Sequence, residues 1–111
     1  MKTSDLTGSA LDWAVAKCEG ITWEQGDLDA GEYGPGFKPS ADWSQGGPII
    51  EREGMHVDCL RQGEKPIWEA WPYATGTKHI QQGSTPLIAA MRCYVAYKLG
   101  DEVEIPEELK P

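Results

Sequence analysis

The apolar positions near the start of the chain follow a helical repeat. Between Thr7 and about Glu19, the residues Leu11, Val15 and Cys18 recur at i, i+4 and i+7, a spacing that places them on one face of a helix. Gly20 follows where a left-handed C-cap is expected. The pattern predicts a first helix over this segment.

A second helix is predicted to begin at Ser40, which is a suitable N-cap residue. Gly46 and Gly47 fall on one face and would let that face approach another element closely. Pro48 lacks the N–H that an interior helical position donates, so a kink or a restart is expected there. Gly54 is expected to end the helix.

The third helix has the strongest local signals. Thr85 stands as its N-cap, Pro86 as its first residue and Gly100 as its end. Apolar residues cover most of its circumference: Leu87, Ile88, Met91, Tyr94, Val95, Tyr97 and Leu99. A helix that is apolar nearly all round is buried between layers or covered by a partner chain.

Alternating patterns between the second and third helices predict strands at Met55–Leu60 and Ile67–Tyr73. Arg61–Pro66 would join them as a hairpin-like loop, and a weaker strand is predicted within Lys78–Gln82. Strands and helices do not alternate strictly, which argues against a parallel sheet. The expected fold class is α+β, with three helices packed on a small, mostly antiparallel sheet.

At 111 residues, positions 1–111 are expected to form a single domain. It would contain an acidic loop rich in glycine and proline at about residues 25–39 and a charged tail at residues 106–111. The stretch Gly26–Phe37 is expected to be mobile because it has no apolar periodicity. The sequence contains neither a signal-peptide pattern nor an apolar run long enough to span a bilayer, so a cytoplasmic protein without membrane contact is expected.

The net charge of −8 favours a solvated acidic surface. Mimicry of DNA or docking to a basic partner are the alternatives. Lysine and arginine are scattered singly, so no direct nucleic-acid binding is expected. Cys18, Cys59 and Cys93 are expected to be reduced and mostly buried. His56 and Cys59 have the spacing of half a zinc site, but no second pair accompanies them, so neither a metal nor a cofactor is expected.

Three blocks of the sequence, Leu6–Lys17, Pro39–Gly54 and Ser84–Pro106, resemble the NinX-like family of lambdoid phages and prophages, whose function is unknown. More distantly, the order of elements is similar to phage domains described as α-β-α sandwiches. The resemblance implies a phage accessory protein acting in the cytoplasm of a bacterial host. It implies no catalytic residues.

The sequence contains no phosphate loop, nucleophile elbow or other catalytic motif, so the chain is expected not to be an enzyme. Arg92 is the only charged residue between Thr85 and Tyr97. It is either held by an internal partner or serves to anchor a carboxylate or phosphate. The candidate binding residues are the aromatic and cationic side chains Trp43, Arg52, His56, Trp68, Trp71 and Arg92, although the tryptophans are equally consistent with core positions.

Two functions remain open. In the first, the chain is a binding module that docks on a host or phage protein through its acidic and aromatic surface. In the second, it binds a small ligand, for example a nucleotide-like one, stacked on a tryptophan with Arg52 or Arg92 holding a negative group. A closed pocket lined by tryptophan and arginine would favour the second, and a flat aromatic patch the first. A homodimer through the third helix or the aromatic sheet is also predicted.

Overall fold

The computed structural model describes residues 1–21 and 37–110. Within these ranges the chain forms three α-helices and one three-stranded antiparallel sheet, and the predicted α+β class is confirmed. The elements, in chain order, are α1 (Gly8–Cys18), α2 (Trp43–Glu53), β1 (Met55–Gln62), β2 (Lys65–Pro72), β3 (Gln81–Gly83) and α3 (Pro86–Leu99). The predicted mobile loop lies outside the described residues, apart from Phe37.

Helix α3 forms the centre of the core. It packs against the strands of the sheet on one side and against α1 on another. The buried apolar side chains of α3 meet Leu11 and Val15 of α1 and Ala70 of β2 in one continuous cluster. This explains why the sequence of α3 is apolar nearly all round: the helix is covered within the single chain.

The start of α3 is positioned by its N-cap and by one glycine of the sheet. Thr85 Oγ1 accepts a hydrogen bond of 3.1 Å from the backbone N–H of Ile88, and Pro86 occupies the first helical position, as predicted. A Cβ atom on Gly83 would lie 2.6 Å from the backbone nitrogen of Ala89. Because Gly83 has no side chain, α3 can lie directly against β3.

The predicted start of the second helix was wrong. Helix α2 begins at Trp43 rather than at Ser40, and its cap is Asp42, whose carboxylate accepts a 2.9 Å hydrogen bond from the backbone N–H of Ser44. Ser40 is buried, and its N–H donates instead to the carboxylate of Asp12 in α1, also at 2.9 Å. Ser40, which the sequence favoured as the N-cap of α2, therefore makes a tertiary contact with α1 instead.

Of the kink or restart predicted at Pro48, the restart does not occur, because α2 continues as one helix through this residue to Glu53. A proline normally disfavours helical backbone in the residue before it, since its ring collides with the Cβ atom of that residue. Gly47 has no Cβ atom, so that collision is absent. The helix ends as predicted at Gly54, which adopts a φ of 61°.

Both strand predictions were correct in place but too short at the turn. Strand β1 extends to Gln62 and β2 begins at Lys65, so Gly63 and Glu64 alone form the loop where Arg61–Pro66 was expected. Gly63 has a φ of 73°, as two-residue hairpins of the primed types require. The third predicted strand is displaced: Gly76–His79 forms a 3-10 turn, and β3 occupies Gln81–Gly83.

The two ends of the described chain lie against each other. Lys2 and Glu102 form an isolated antiparallel bridge, and the backbone N–H of Val103 donates to the carbonyl of Met1 at 2.9 Å. Thr3 is fully buried, and its hydroxyl donates to the carbonyl of Gly100 at 2.7 Å. Within the predicted tail at residues 106–111, Leu109 packs against the core cluster.

Candidate functional site

The face of the sheet opposite α3 carries a mixture of aromatic and acidic side chains. The register of β1 and β2 places three pairs on this face, His56 opposite Trp71, Asp58 opposite Glu69 and Leu60 opposite Ile67, and we call these six residues the open sheet face. None of them belongs to the core cluster, and the described α-helices contribute buried side chains to that cluster. The open sheet face is thus an aromatic and acidic surface, and its residue Ile67 also lines the groove described below.

An aromatic stack lies at one end of the open sheet face. The rings of His56 and Trp71 are 4.0 Å apart at their centroids, with an angle of 20° between their planes. His56 Nε2 donates a hydrogen bond to Asp58 Oδ2 at 2.7 Å. The imidazole is thus held between an indole and a carboxylate, and its contact with the indole restricts the side chain of Trp71.

Asp58 and Glu69 form a pair of like charges directly across two strands. Such pairs destabilise a sheet in isolation. His56 engages the carboxylate of Asp58, whereas Glu69 makes no ion pair among the described residues. The open sheet face therefore presents negative charge beside its aromatic stack.

Two further aromatic side chains are exposed, at opposite ends of α2. Tyr73 directly follows β2 and is 87% exposed, and its backbone N–H donates to the carbonyl of Gly54. Trp43 begins α2 and is 57% exposed. Because α2 spans eleven residues, these side chains are separated by roughly 15 Å along the helix axis. Tyr73 extends the aromatic surface at the Trp71 end of β2, and Trp43 does not.

Trp68 lies on the other face of the sheet, where it packs against the core cluster. It also lines a hollow of about 400 Å³ together with Cys59, Lys65 and the hairpin turn. Trp68 and Trp71 are therefore on opposite faces, and the sequence-predicted tryptophans do not form one site.

Arg52 is fully engaged in a polar network that joins α2 to α1 and α3. Its Nη1 and Nη2 donate to the two carboxylate oxygens of Glu19 at 2.9 and 2.7 Å, and its Nε donates to Glu53 at 2.8 Å. The hydroxyl of Tyr94 donates to Glu19 at 2.5 Å. We call Glu19, Arg52, Glu53 and Tyr94 the Arg52 network; its geometry is that of a structural clamp, not of a free anion-binding site.

The Arg52 network shifts the ionisation of its members. Partial burial would raise the pKa of Glu19, but the hydrogen bonds from Arg52 and Tyr94 outweigh it and lower that pKa below the ordinary value of 4.5. Burial and the bond to Glu19 both raise the pKa of Tyr94. Glu19 thus carries its charge and Tyr94 keeps its proton at neutral pH.

Arg92 lies in a groove of about 760 Å³ beside β3, which we call the Arg92 groove. Its lining consists of Ser4, Lys65–Ile67, Ile80–Ser84 and Arg92. Arg92 Nε donates to the carbonyl of Leu6, and Nη1 donates to the carbonyl of Gln82, each at 2.8 Å. Arg92 lies one helical turn after Ala89, and Ala89 is in close contact with Gly83 of β3. Because of this contact, the guanidinium of Arg92 lies next to β3.

The three cysteines differ in exposure. Cys93 is buried and Cys18 is half-buried, and burial raises the pKa of each thiol to about 12, so neither is a thiolate at neutral pH. Cys59 is exposed, contrary to the expectation that the cysteines are mostly buried. Its outer position follows from its place on β1, the edge strand of the sheet. Within the described ranges, no group of three or more His, Cys, Asp and Glu side chains is arranged to hold a metal ion.

The candidate residues chosen from the sequence therefore do not form one site in the structure. His56 and Trp71 meet on the open sheet face, while Arg52 and Arg92 have different surroundings. Sequence reasoning missed Glu19 and Tyr94, which lie 75 positions apart, and it missed Lys65 and Tyr73. The exposed position of Tyr73 after a strand carries no distinctive pattern, and only the pairing of the strands brings Lys65 to the Arg92 groove.

In a comparison with protein-family models, the chain matches the model described as bacteriophage P22, NinX, over residues 2–98. This chain belongs to the P22 NinX family. The matched residues include all three helices, apart from the last residue of α3, and the whole sheet, so the family resemblance seen in the sequence is confirmed. No curated protein matches the chain. None of the described helices combines the length and the hydropathy that crossing a membrane requires.

Proposed function

We propose that this NinX-family protein is a non-enzymatic phage accessory protein that binds a host or phage protein through the open sheet face. The observation that carries the proposal is the His56–Trp71 stack on a sheet face whose residues lie outside the core cluster. Tryptophan and tyrosine are enriched among the residues that dominate binding energy at protein interfaces. Tyr73, at 87% exposure, continues this aromatic surface.

The stack also reduces the cost of binding. An exposed side chain loses rotamer freedom when a partner covers it, which costs about 0.5–1.5 kcal/mol. Trp71 has already lost part of that freedom through its contact with His56, which is itself held by Asp58. A partner that covers Trp71 would therefore meet a side chain already in place.

The charge of the open sheet face defines the partner. The like-charge pair of Asp58 and Glu69 is relieved when a lysine or arginine is placed between the two carboxylates. The expected partner surface is thus an apolar pocket for Trp71 with a basic residue beside it. Complementarity of this kind sets partner choice and the rate of association.

The small-ligand alternative, in which a tryptophan and an arginine share a pocket, is less well supported. Arg52 is saturated by Glu19 and Glu53. The described lining of the Arg92 groove contains no tryptophan. The aromatic stack on the open sheet face, with the exposed Tyr73 beside it, favours protein binding.

A photocrosslinking residue placed at Tyr73 tests the proposal in phage-infected cells, with the same residue placed at Trp43 as the matched control. Both positions are exposed, at 87% and 57%, but only Tyr73 borders the open sheet face. We expect a discrete crosslinked species from position 73 that is weak or absent from position 43. Asp58→Lys should reduce its yield, because the variant repels a basic partner.

Trp71→Ala should abolish the crosslink from position 73, whereas Trp43→Ala should leave it intact. A crosslink that forms equally from both positions, or that survives Trp71→Ala, would refute the open sheet face as the docking surface. Circular dichroism of each variant establishes that the fold is retained.

A further inference from the structure

Arg92 differs from Arg52 in having no carboxylate partner. Among the described residues, no acidic group lies within 4.0 Å of its guanidinium, and the two hydrogen bonds it donates go to backbone carbonyls. Burial lowers the pKa of Arg92, and Asp5 opposes this at longer range. A half-buried cation without a neutralising partner is unusual and is typical of sites that receive an anion.

The surroundings of Arg92 are locally positive in a strongly acidic protein. The chain has 18 acidic and 10 basic residues, yet the described lining of the Arg92 groove contains two cations, Lys65 and Arg92, and no carboxylate. A concave site lined by one sign of charge concentrates ligands of the opposite sign, even when the net charge of the protein is unfavourable.

The groove also offers apolar contact and fixed geometry. Pro66, Ile67 and Ile80 line it beside the cations, and Ser84 adds a hydroxyl. The carbonyls of Leu6 and Gln82 hold Arg92 Nε and Nη1, while no hydrogen bond to Nη2 is found within the described residues. The guanidinium is therefore oriented in advance, and Nη2 remains available as a donor.

We propose that the Arg92 groove is a binding site for a small organic oxyanion, a carboxylate or a phosphate ester with an apolar body. The negative group lies between Arg92 Nη2 and the ammonium of Lys65, and the apolar body rests on Ile67 and Ile80. This site shares Ile67 with the open sheet face, but its two cations lie outside that face, so it extends the proposed protein-binding function and does not depend on it.

The test is a titration of the ¹⁵N-labelled protein followed by backbone amide chemical shifts. The probes are benzoate, phenyl phosphate, inorganic phosphate and the neutral benzyl alcohol, each up to about 50 mM, a range that covers millimolar affinities. We expect benzoate or phenyl phosphate to shift the amides of Lys65, Ile67 and residues 80–84 and to bind at least about tenfold more tightly than benzyl alcohol. Comparing the affinities of benzoate and phenyl phosphate distinguishes a carboxylate ligand from a phosphate ligand. Comparing phenyl phosphate with inorganic phosphate shows how much the apolar body contributes to the affinity.

Lys65→Glu should weaken binding of the preferred anion by about fivefold or more, since it replaces an attractive charge with a repulsive one. Lys17→Glu makes the same change of charge on α1, outside the groove, and should leave affinity within about twofold. Arg92→Met removes the main donor and should abolish binding. Arg92 also donates hydrogen bonds to the carbonyls of Leu6 and Gln82, so Arg92→Met can prevent folding. In that case the affinity of Lys65→Glu alone tests the proposed site.

Three results would overturn the proposal. One is the absence of shifts in the groove with every anion. Another is equal binding of benzyl alcohol and benzoate. The third is an affinity that Lys65→Glu and Lys17→Glu change to the same extent.

Discussion

Gly46 shows how the absence of one side chain positions a whole helix. A Cβ atom at this residue would overlap the carbonyl oxygen of Pro39 and would lie 2.6 Å from Leu87 Cδ2. The sequence indicated that a glycine pair in α2 permits close approach, and the structure assigns this role to Gly46. At Gly47 the only neighbour of an added Cβ would be the ring of Trp43, at 3.9 Å.

Gly46→Ala should therefore destabilise the protein although alanine is the better helix former. Overpacking costs about 1–3 kcal/mol, and the upper part of that range, about 2–3 kcal/mol, is expected here because a backbone oxygen cannot rotate away. The gain in helix propensity of roughly 1 kcal/mol offsets part of that cost. We expect a net loss of about 1–2 kcal/mol in the free energy of unfolding in urea. Glu51→Ala, at an exposed position of the same helix, should change it by less than about 0.5 kcal/mol. A Gly46→Ala protein as stable as the wild type would show that α2 can move away from Pro39.

Glu19 should make stability depend on pH in a defined direction. Its pKa is lowered in the folded protein, so its contribution is complete above the ordinary value of 4.5 and is lost as the pH falls through the folded value. We expect Glu19→Gln to be less stable than the wild type at about pH 7, with the difference shrinking towards about pH 3. Urea unfolding across this range measures it, and Glu51→Gln provides the control. If the difference in stability between the wild type and Glu19→Gln grew on acidification, the Arg52 network would not be lowering the pKa of Glu19.

At the scale of elements, the hairpin between β1 and β2 determines both candidate surfaces. Its register pairs His56 with Trp71 and also brings Lys65 to the Arg92 groove. A slip of one residue would move every side chain of one strand to the opposite face. The two-residue turn at Gly63 and Glu64 fixes the register.

Gly63→Ala should destabilise the hairpin by about 1–2 kcal/mol, because φ is 73° at this position and left-handed backbone is costly for residues with a Cβ atom. Glu64→Ala, at the neighbouring turn position where φ is not positive, should cost clearly less. Urea unfolding of the two variants provides the measurement. Equal losses would mean that the turn relaxes to another type.

The sequence predicted the ends of the elements well wherever residues at or next to those ends determine them. Thr85 and Pro86 define the start of α3 without outside help, and Gly54 defines the end of α2. The start of α2 could not be predicted, because Ser40 and Asp42 are both good caps and only the contact of Ser40 with Asp12 separates them. The candidate site was predictable in part: Arg92 is conspicuous as a lone charge, but its groove is created by the placement of β3 against α3.

For the whole molecule, the burial of α3 changes the expected site of self-association. Eight of its fourteen residues are buried within the single chain, so it retains little apolar surface for a second copy. The predicted homodimer is now expected to use the open sheet face, where Trp71, Leu60 and Ile67 remain partly exposed.

Sedimentation equilibrium at micromolar concentration tests this prediction. We expect a mass above that of the monomer for the wild type and a monomeric mass for Trp71→Glu, which places a charge at the centre of the interface. Trp43→Glu is the matched control and should behave as the wild type. A monomeric wild type would exclude the dimer at this concentration and leave the face free for a different protein.

The bridge between Lys2 and Glu102 has a consequence for the timing of folding in the cell. A ribosome adds about 5–20 residues per second, so the first residues emerge roughly 5–20 seconds before the segment that pairs with them. Through that interval Leu6, fully buried in the finished protein, has neither Arg92 at its carbonyl nor Val103 and Ile105 in the core beside it. The native core can therefore close only after nearly the whole chain has been translated, and until then the nascent chain presents apolar surface that a chaperone can bind.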